Sequence, residues 1–204
     1  MKTNASGTGI IIVAIRGSVR PGNATSKVLD VAADEIRKDP RITLEVVDPA
    51  HLNLPFPGEE SDSTDARDLQ GLVKSATGVI LSTPEYHGGF SSVMKLVIEN
   101  LGFPSVLAGK PVALLGVAAG QIGAIKSLEA LRSVCSHVGA LVLPGPVSVA
   151  NVRTVLDAEG NITDERIDKM VRGLGRNLVD HIHSHVCPAV ALEAMVRGEA
   201  LSSC

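Results

Sequence analysis

Residues 16–26 read RGSVRPGNATS. Four short polar side chains, Ser18, Asn23, Thr25 and Ser26, gather there with the flexible cation Arg20 and two glycines. That set suits an anion. Backbone N–H groups at a helix N-terminus attract negative charge, and phosphate fits them well. A guanidinium adds a charged bidentate contact, and glycines let the backbone curl round the ion. The plainer alternative is a helix capped by Thr25 or Ser26 after an ordinary loop. No Gly-Lys-Ser/Thr triplet follows the glycines, and G-x-G-x-x-G is missing, so neither common nucleotide-loop motif is present.

A second stretch, TPEYHGGF at 83–90, combines Pro84, Glu85, the only tyrosine of the chain (Tyr86), His87 and the pair Gly88-Gly89. Pro84 stiffens the backbone, and the glycines allow it to come close to a flat ring. Main-chain groups could bond such a ring while Tyr86 or His87 shields an edge. A plain strand-to-helix turn with a half-buried tyrosine is the alternative. A third stretch, AAGQIGA at 118–124, centres on Gly120 and also precedes a helix, whose N-terminus would favour negative charge on a bound ring. HIHSHVC at 181–187 puts His181 and His185 on one helix face, but two ligands make no closed metal site and Cys187 falls elsewhere. It reads as a solvated helix end, with no metal. Cys135 falls on an apolar stripe and reads as core. No Ser/His/Asp order or nucleophile elbow appears.

These stretches need elements to hold them. Residues 10–15 form a continuous β-branched run, as a strand buried on both faces would. Further strands are expected at 42–47, 78–82, 111–117 and 140–143, the last ended by Pro144-Gly145-Pro146. Helical stripes lie between them: Val28, Leu29, Ala32 and Ile36; then Leu69, Leu72, Val73 and Ala76; then Val93, Leu96, Val97 and Leu101; then Ile125, Leu128, Leu131 and Cys135. A last long helix starts near Thr163, with Asp164 and Glu165 in its first turn and a stripe of Ile167, Val171, Leu174 and Leu178. The acid- and proline-rich stretch 48–63 is a surface loop. Five buried strands alternating with helices imply an α/β, doubly wound parallel sheet covered on both faces. Ligands of such sheets bind beyond the carboxyl ends of the strands, which puts 16–26, 83–90 and 118–123 on one rim.

The chain has 204 residues, which fits a single domain over 1–204 with a lead-in at 1–8 and a C-terminal extension at 188–204. The extension is either a short helix or a loose end. Hydrophobics make up 45% against 20% charged, so a sizeable core forms, and with only four aromatic residues it must be aliphatic. A net charge of −3 argues against a nucleic-acid partner. No apolar run approaches a membrane span or a signal core, so no membrane partner is expected. Three scattered cysteines imply no disulfide framework, which makes a reducing cytoplasm the expected location.

Taken together, GSVRPGNATSKVL, TPEYHGGFSSVMKLVIENL and KPVALLGVAAGQIGAIKSLEALR resemble the NADPH-dependent FMN reductases of the flavodoxin-like superfamily, which include chromate, quinone and azo-compound reductases. The resemblance runs over nearly the whole chain from Ile10. It implies a flavodoxin-like five-stranded parallel sheet in the order 2-1-3-4-5. It implies FMN with its phosphate on Ser18, Arg20, Asn23, Thr25 and Ser26, and its ring on Pro84, Glu85, Tyr86 and His87 with Gly120 opposite. NADPH or NADH would be the co-substrate, small-molecule electron acceptors the partners, and a homodimer or homotetramer the assembly. The flavin would carry the chemistry, so no side chain is assigned as acid or base. The chain departs from the usual pattern at His87, where Asn is common, and at Met94-Lys95-Leu96-Val97-Ile98-Glu99 in place of Leu-Lys-Asn-Ala-Ile-Asp. Two rivals stay open: a flavodoxin-type electron carrier without NAD(P)H turnover, and a non-flavin nucleotide-binding regulatory protein.

Overall fold

The computed structural model describes residues 9–199 and 204. The lead-in expected at 1–8 lies outside the described residues, as do residues 200–203 of the extension. The β-branched run opens the sheet as β1 (Ile10–Arg16). The other long strands are β2 (Ile42–Val47), β3 (Gly78–Tyr86) and β5 (Pro111–Val117). A two-residue strand, β4 (Gly89–Phe90), pairs antiparallel with the end of β3. Two short pieces, β6 (Leu141–Val142) and β7 (Val147–Val149), both run parallel to β5. The sheet order is β2-β1-β3-β5-β6, and with the β4 flap set aside this is the expected 2-1-3-4-5.

The helices are α1 (Ala24–Ile36), α2 (Asp65–Ser75), α3 (Ser92–Glu99), α4 (Ile125–His137), the short α5 (Val152–Val155), α6 (Glu165–His181) and α7 (Cys187–Arg197). They cover both faces. α1 and α6 bury Val28, Leu29, Ala32, Val171, Leu174 and Leu178 against Ile10, Ile12, Ala14 and Ile80. α2, α3 and α4 bury Leu69, Val73, Val97 and Leu131 against Val13, Ile15, Val79 and Leu81. Alternate residues of β1 and β3 thus feed opposite cores, as the two-residue period of a strand requires. None of the described helices is long and apolar enough to cross a membrane.

The structure departs from the sequence expectations in several places. β3 continues four residues past Ser82, so Pro84, Glu85 and Tyr86 lie in a strand rather than a loop. The expected strand at 140–143 is half of a broken edge: Pro144 and Pro146 have no N–H to donate, Gly145 has φ +77°, and pairing with β5 resumes at Val147. Asp164 sits before the first turn of α6, capping it by accepting from the N–H groups of Arg166 and Ile167. The largest correction concerns the cysteines, because Cys187 is bonded to Cys204, with Cα atoms 5.1 Å apart. Spacing along the chain hid the pair; α7 is the helix that begins at Cys187. His181 and His185 share a face as their spacing predicts, but they lie within a continuing helix and not at a solvated helix end, because α6 runs through a π turn into α7. The rings of His181 and His185 stack at 4.7 Å across a π turn at Ile182–Val186.

Candidate functional site

In-register pairing aligns the strand ends that carry the three rim loops. Arg16 lies beside Ser82, Thr83 beside Gly116, and Val117 beside Val149. The chain leaves β1 at Gly17, where a Cβ would sit 2.2 Å from the Ser82 carbonyl oxygen, so only glycine fits. Asn23 then shapes the loop 17–23. Its Oδ1 accepts from the Ser26 N–H at 2.7 Å and caps α1, while its Nδ2 donates to the Arg20 carbonyl at 2.7 Å and to that of Ser18 at 3.4 Å. The cap expected of Thr25 or Ser26 therefore belongs to Asn23, whose side chain is spent inside the loop. Thr25 and Ser18 are largely buried beneath it. Ser26 Oγ is wholly enclosed by protein and faces no open surface.

The ring-side stretch is a hairpin. Tyr86 pairs with Gly89, and the two residues between them, His87 and Gly88, have φ of +51° and +76°. Positive φ at both central positions is the requirement of a type I′ turn. Histidine, like asparagine, tolerates that conformation better than most side chains, so His87 serves the backbone there. The Tyr86 ring is 40% exposed and lies 5.1 Å from the Arg20 guanidinium carbon, a cation–π contact joining the two loops at their outer edges.

Their inner edges meet at Ser91, which the sequence expectations passed over. Its hydroxyl donates to the Gly17 carbonyl at 2.6 Å and accepts from the Met94 N–H at 3.0 Å, capping α3. Its own N–H donates to Thr83 Oγ1, which in turn donates to the Pro84 carbonyl. A serine just before an apolar helical stripe is a readable cap signal. Its long-range bond to Gly17 has no local signature.

The third loop is held differently from expectation. Gly120 accepts from the N–H groups of Gly123 and Asn151, and the Ala124 N–H donates to Ser148 Oγ. The Glu85 carboxylate accepts from the Ser127 N–H in the first turn of α4 at 3.3 Å. The positive end of α4 is thus partly answered by the protein itself, and Glu85 joins the hairpin to that helix. An added Cβ at Gly120 would meet nothing within 4 Å, so open space borders the loop there. Ile122 and Ile125, 71% and 51% exposed, supply apolar surface on the same side.

Chemistry elsewhere is muted. Burial pushes the Cys135 thiol up to about 12, so it stays protonated and unreactive. A concavity of about 430 Å³ lies between the C-terminal ends of α1 and α6, lined by Glu35, Lys38, Asp39 and Arg176, away from the rim. Among the described residues no three His, Cys, Asp or Glu side chains are grouped to hold a metal ion.

This arrangement of strands and rim loops is that of a flavodoxin-like α/β protein. The flavoenzyme NAD(P)H:(acceptor) oxidoreductase of Paracoccus denitrificans shares the fold, with a TM-score of 0.71 at 23% identity over 87% of this chain and 98% of that one. The chain belongs to the NADPH-dependent FMN reductase family, whose family model matches residues 10–154. It is 37% identical over 139 residues to an NADPH azoreductase of Bacillus sp. (strain OY1-2), a match covering 67% of this chain and 74% of that protein. It is 27% identical over 166 residues to a 2-hydroxy-1,4-benzoquinone reductase of Burkholderia sp., covering 79% of this chain and 90% of that one. As a member of this family the chain is an FMN-dependent NAD(P)H oxidoreductase.

Proposed function

We propose that this enzyme passes electrons from NAD(P)H to small, flat acceptors such as quinones, azo compounds and free flavin, with chromate as a further acceptor, from FMN held at the rim. The observation that carries this reading is the joining of the anion loop to the hairpin twice, by Ser91 beneath and by Arg20 against Tyr86 above. One body then serves both a phosphate and a ring. The donor set fits FMN. The N–H groups of Ala24 and Thr25 open α1 with no partner among the described residues, beside the Arg20 guanidinium and the Ser18 and Thr25 hydroxyls.

In this reading Ser18, Arg20 and Thr25 hold the phosphate. Asn23 and Ser26 keep the loop in shape rather than touching the anion through their side chains. Pro84, Glu85, Tyr86 and His87 line the ring edge largely through their main chain, and the loop at Gly120 lies opposite. Bound FMN supplies the hydride acceptor and donor. The protein supplies position and polarity, and we assign no side chain as acid or base. The exposed Ile122, Ile125 and Tyr86 give a flat acceptor apolar contact and also support a homodimer or homotetramer closing over the rim. The Cys187–Cys204 bond removes the cysteine argument for a reducing compartment. The need for NAD(P)H is what supports a cytoplasmic location.

The test is a fluorescence titration of the purified chain with FMN, then steady-state oxidation of NADPH and NADH with quinone, azo dye, free flavin and chromate. Binding with turnover of at least one acceptor is expected. FMN binding without turnover would mark an electron carrier instead, and absence of FMN binding overturns the reading.

A further inference from the structure

Among the described residues, three side-chain atoms are fully enclosed and without a hydrogen-bond partner: Arg16 Nε, Ser26 Oγ and Ser82 Oγ. They come from three different elements, β1, α1 and β3, which pack on one another. Arg16 and Ser82 are direct partners on the neighbouring parallel strands β1 and β3, so their side chains leave the sheet on the same face. That face is the one α1 covers, since Ala14 and Ile80, two residues earlier on each strand, pack against Val28 and Leu29 of α1. Arg16 also reaches α1 itself, donating from Nη2 to Asp30 at 2.9 Å, while Nη1 bonds Asp48 at 3.0 Å. Ser26 stands one turn before Asp30 on the same side of α1. Arg16 and Ser82 thus lie on the sheet face that α1 covers, and Ser26 lies in the first turn of that helix.

Leaving one buried hydroxyl unpaired costs stability, and leaving three polar atoms unpaired costs more. A buried water makes about three hydrogen bonds to polar groups that lack partners. One donor, Arg16 Nε, and two hydroxyls that can give or take suit it.

We propose that Arg16 Nε, Ser26 Oγ and Ser82 Oγ jointly bind one ordered water, and that Ser82 through it is a positioning residue for the anion loop. Ser82 is 0% exposed and cannot touch a ligand at the rim; Ser26 is 9% exposed. The water ties the start of α1 to the central strand, so the N–H groups of Ala24 and Thr25 keep a fixed aim. The second half of the proposal rests on FMN occupying the loop; the water does not.

The experiment compares Ser26→Ala, Ser82→Ala and the double variant as full chains, by thermal unfolding without FMN and by FMN titration. Each single variant is expected to lower Tm by about 2–4 °C, as the loss of one hydrogen bond in a chain of this size would. The double variant should lose less than the sum, because either change already strips the water of a partner. A Tm that is unchanged or raised in Ser82→Ala, or strict additivity, overturns the shared water. Ser82→Ala should also weaken FMN binding about 2- to 10-fold; an unchanged dissociation constant overturns the positioning role. If the unaltered chain takes no FMN, the functional reading falls while the unfolding cycle still decides the water.

Discussion

Replacing Ser91 by alanine removes one oxygen that serves two loops. The Met94 N–H loses its cap acceptor, at a cost of about 1 kcal/mol. The Gly17 carbonyl, in the buried seam between β1 and α3, loses its donor at about 1–3 kcal/mol. Removing only the hydroxyl leaves a void too small to add much. The expected loss is therefore roughly 2–4 kcal/mol, or a Tm lower by about 5–15 °C for a chain of this length. Urea unfolding followed by circular dichroism measures it, with the slope m expected to stay constant. Ser92→Ala next door, at an exposed position, is the control and should stay within about 0.5 kcal/mol. Ser91→Thr, which keeps a capping hydroxyl, should recover much of the loss. FMN affinity should fall in Ser91→Ala, because the carbonyl that anchors the anion loop is freed. Stability within 0.5 kcal/mol of the parent would refute the bond network. A large stability loss with unchanged FMN affinity would refute its role in joining the two loops.

Arg20→Ala should weaken FMN binding by about 1.5–3 kcal/mol, the worth of a charged hydrogen bond, with Tm of the FMN-free chain nearly unmoved; an unchanged dissociation constant would show that Arg20 contacts no phosphate. At the type I′ turn, His87→Asn and His87→Gly should be tolerated, whereas His87→Val should destabilise by about 1–3 kcal/mol, because a β-branched residue resists φ near +51°. Equal stability of the Asn and Val variants would sink that account of His87. Acid should loosen the α1–α6 face. Hydrogen bonds from Lys38 and Arg176 hold the Glu35 carboxyl down at about 2, and Arg41, assisted by His183, holds Asp39 well below the usual carboxylate range. Depressed carboxylate values contribute stability above the ordinary carboxylate pKa and lose it as pH falls toward the folded value. Urea midpoints should therefore be flat above about pH 5 and decline from there toward about pH 2, and Glu35→Gln should flatten the decline; an identical pH slope in the variant would remove Glu35 from the explanation.

Much of the fold was legible because β-branched runs buried on both faces have no other use. β2 and β5 lie where their runs lie, and β1 runs one residue further, to Arg16. The third strand was cut short at Ser82 because proline and glycine normally end a strand, whereas Pro84 pairs with Val117 and the next two residues find partners in β4. The fifth strand was read as one piece because nothing local announces that pairing resumes beyond two prolines. The rim loops were legible as a set, since clustered short polar side chains and glycines have no use in an aliphatic core. What stayed hidden was the division of labour among them. The letters offer Asn23 and Ser26 only as polar side chains of one loop; that Asn23 caps the helix and that Ser26 Oγ is enclosed are matters of side-chain direction that composition does not encode. Ser91 and the Cys187–Cys204 bond were missed for the same reason, because their partners lie far away along the chain.

The Ser91 junction also sets terms for redesign. Here a transplanted anion loop would arrive with its Gly17 carbonyl unanchored unless the acceptor scaffold already carried the matching hydroxyl ahead of α3. A transplanted hairpin would arrive without the Thr83 oxygen on which that hydroxyl's own backbone rests. Gly17, Thr83 and Ser91 therefore form the smallest unit that can be moved intact. Val19, exposed and outside that seam, can vary without touching it.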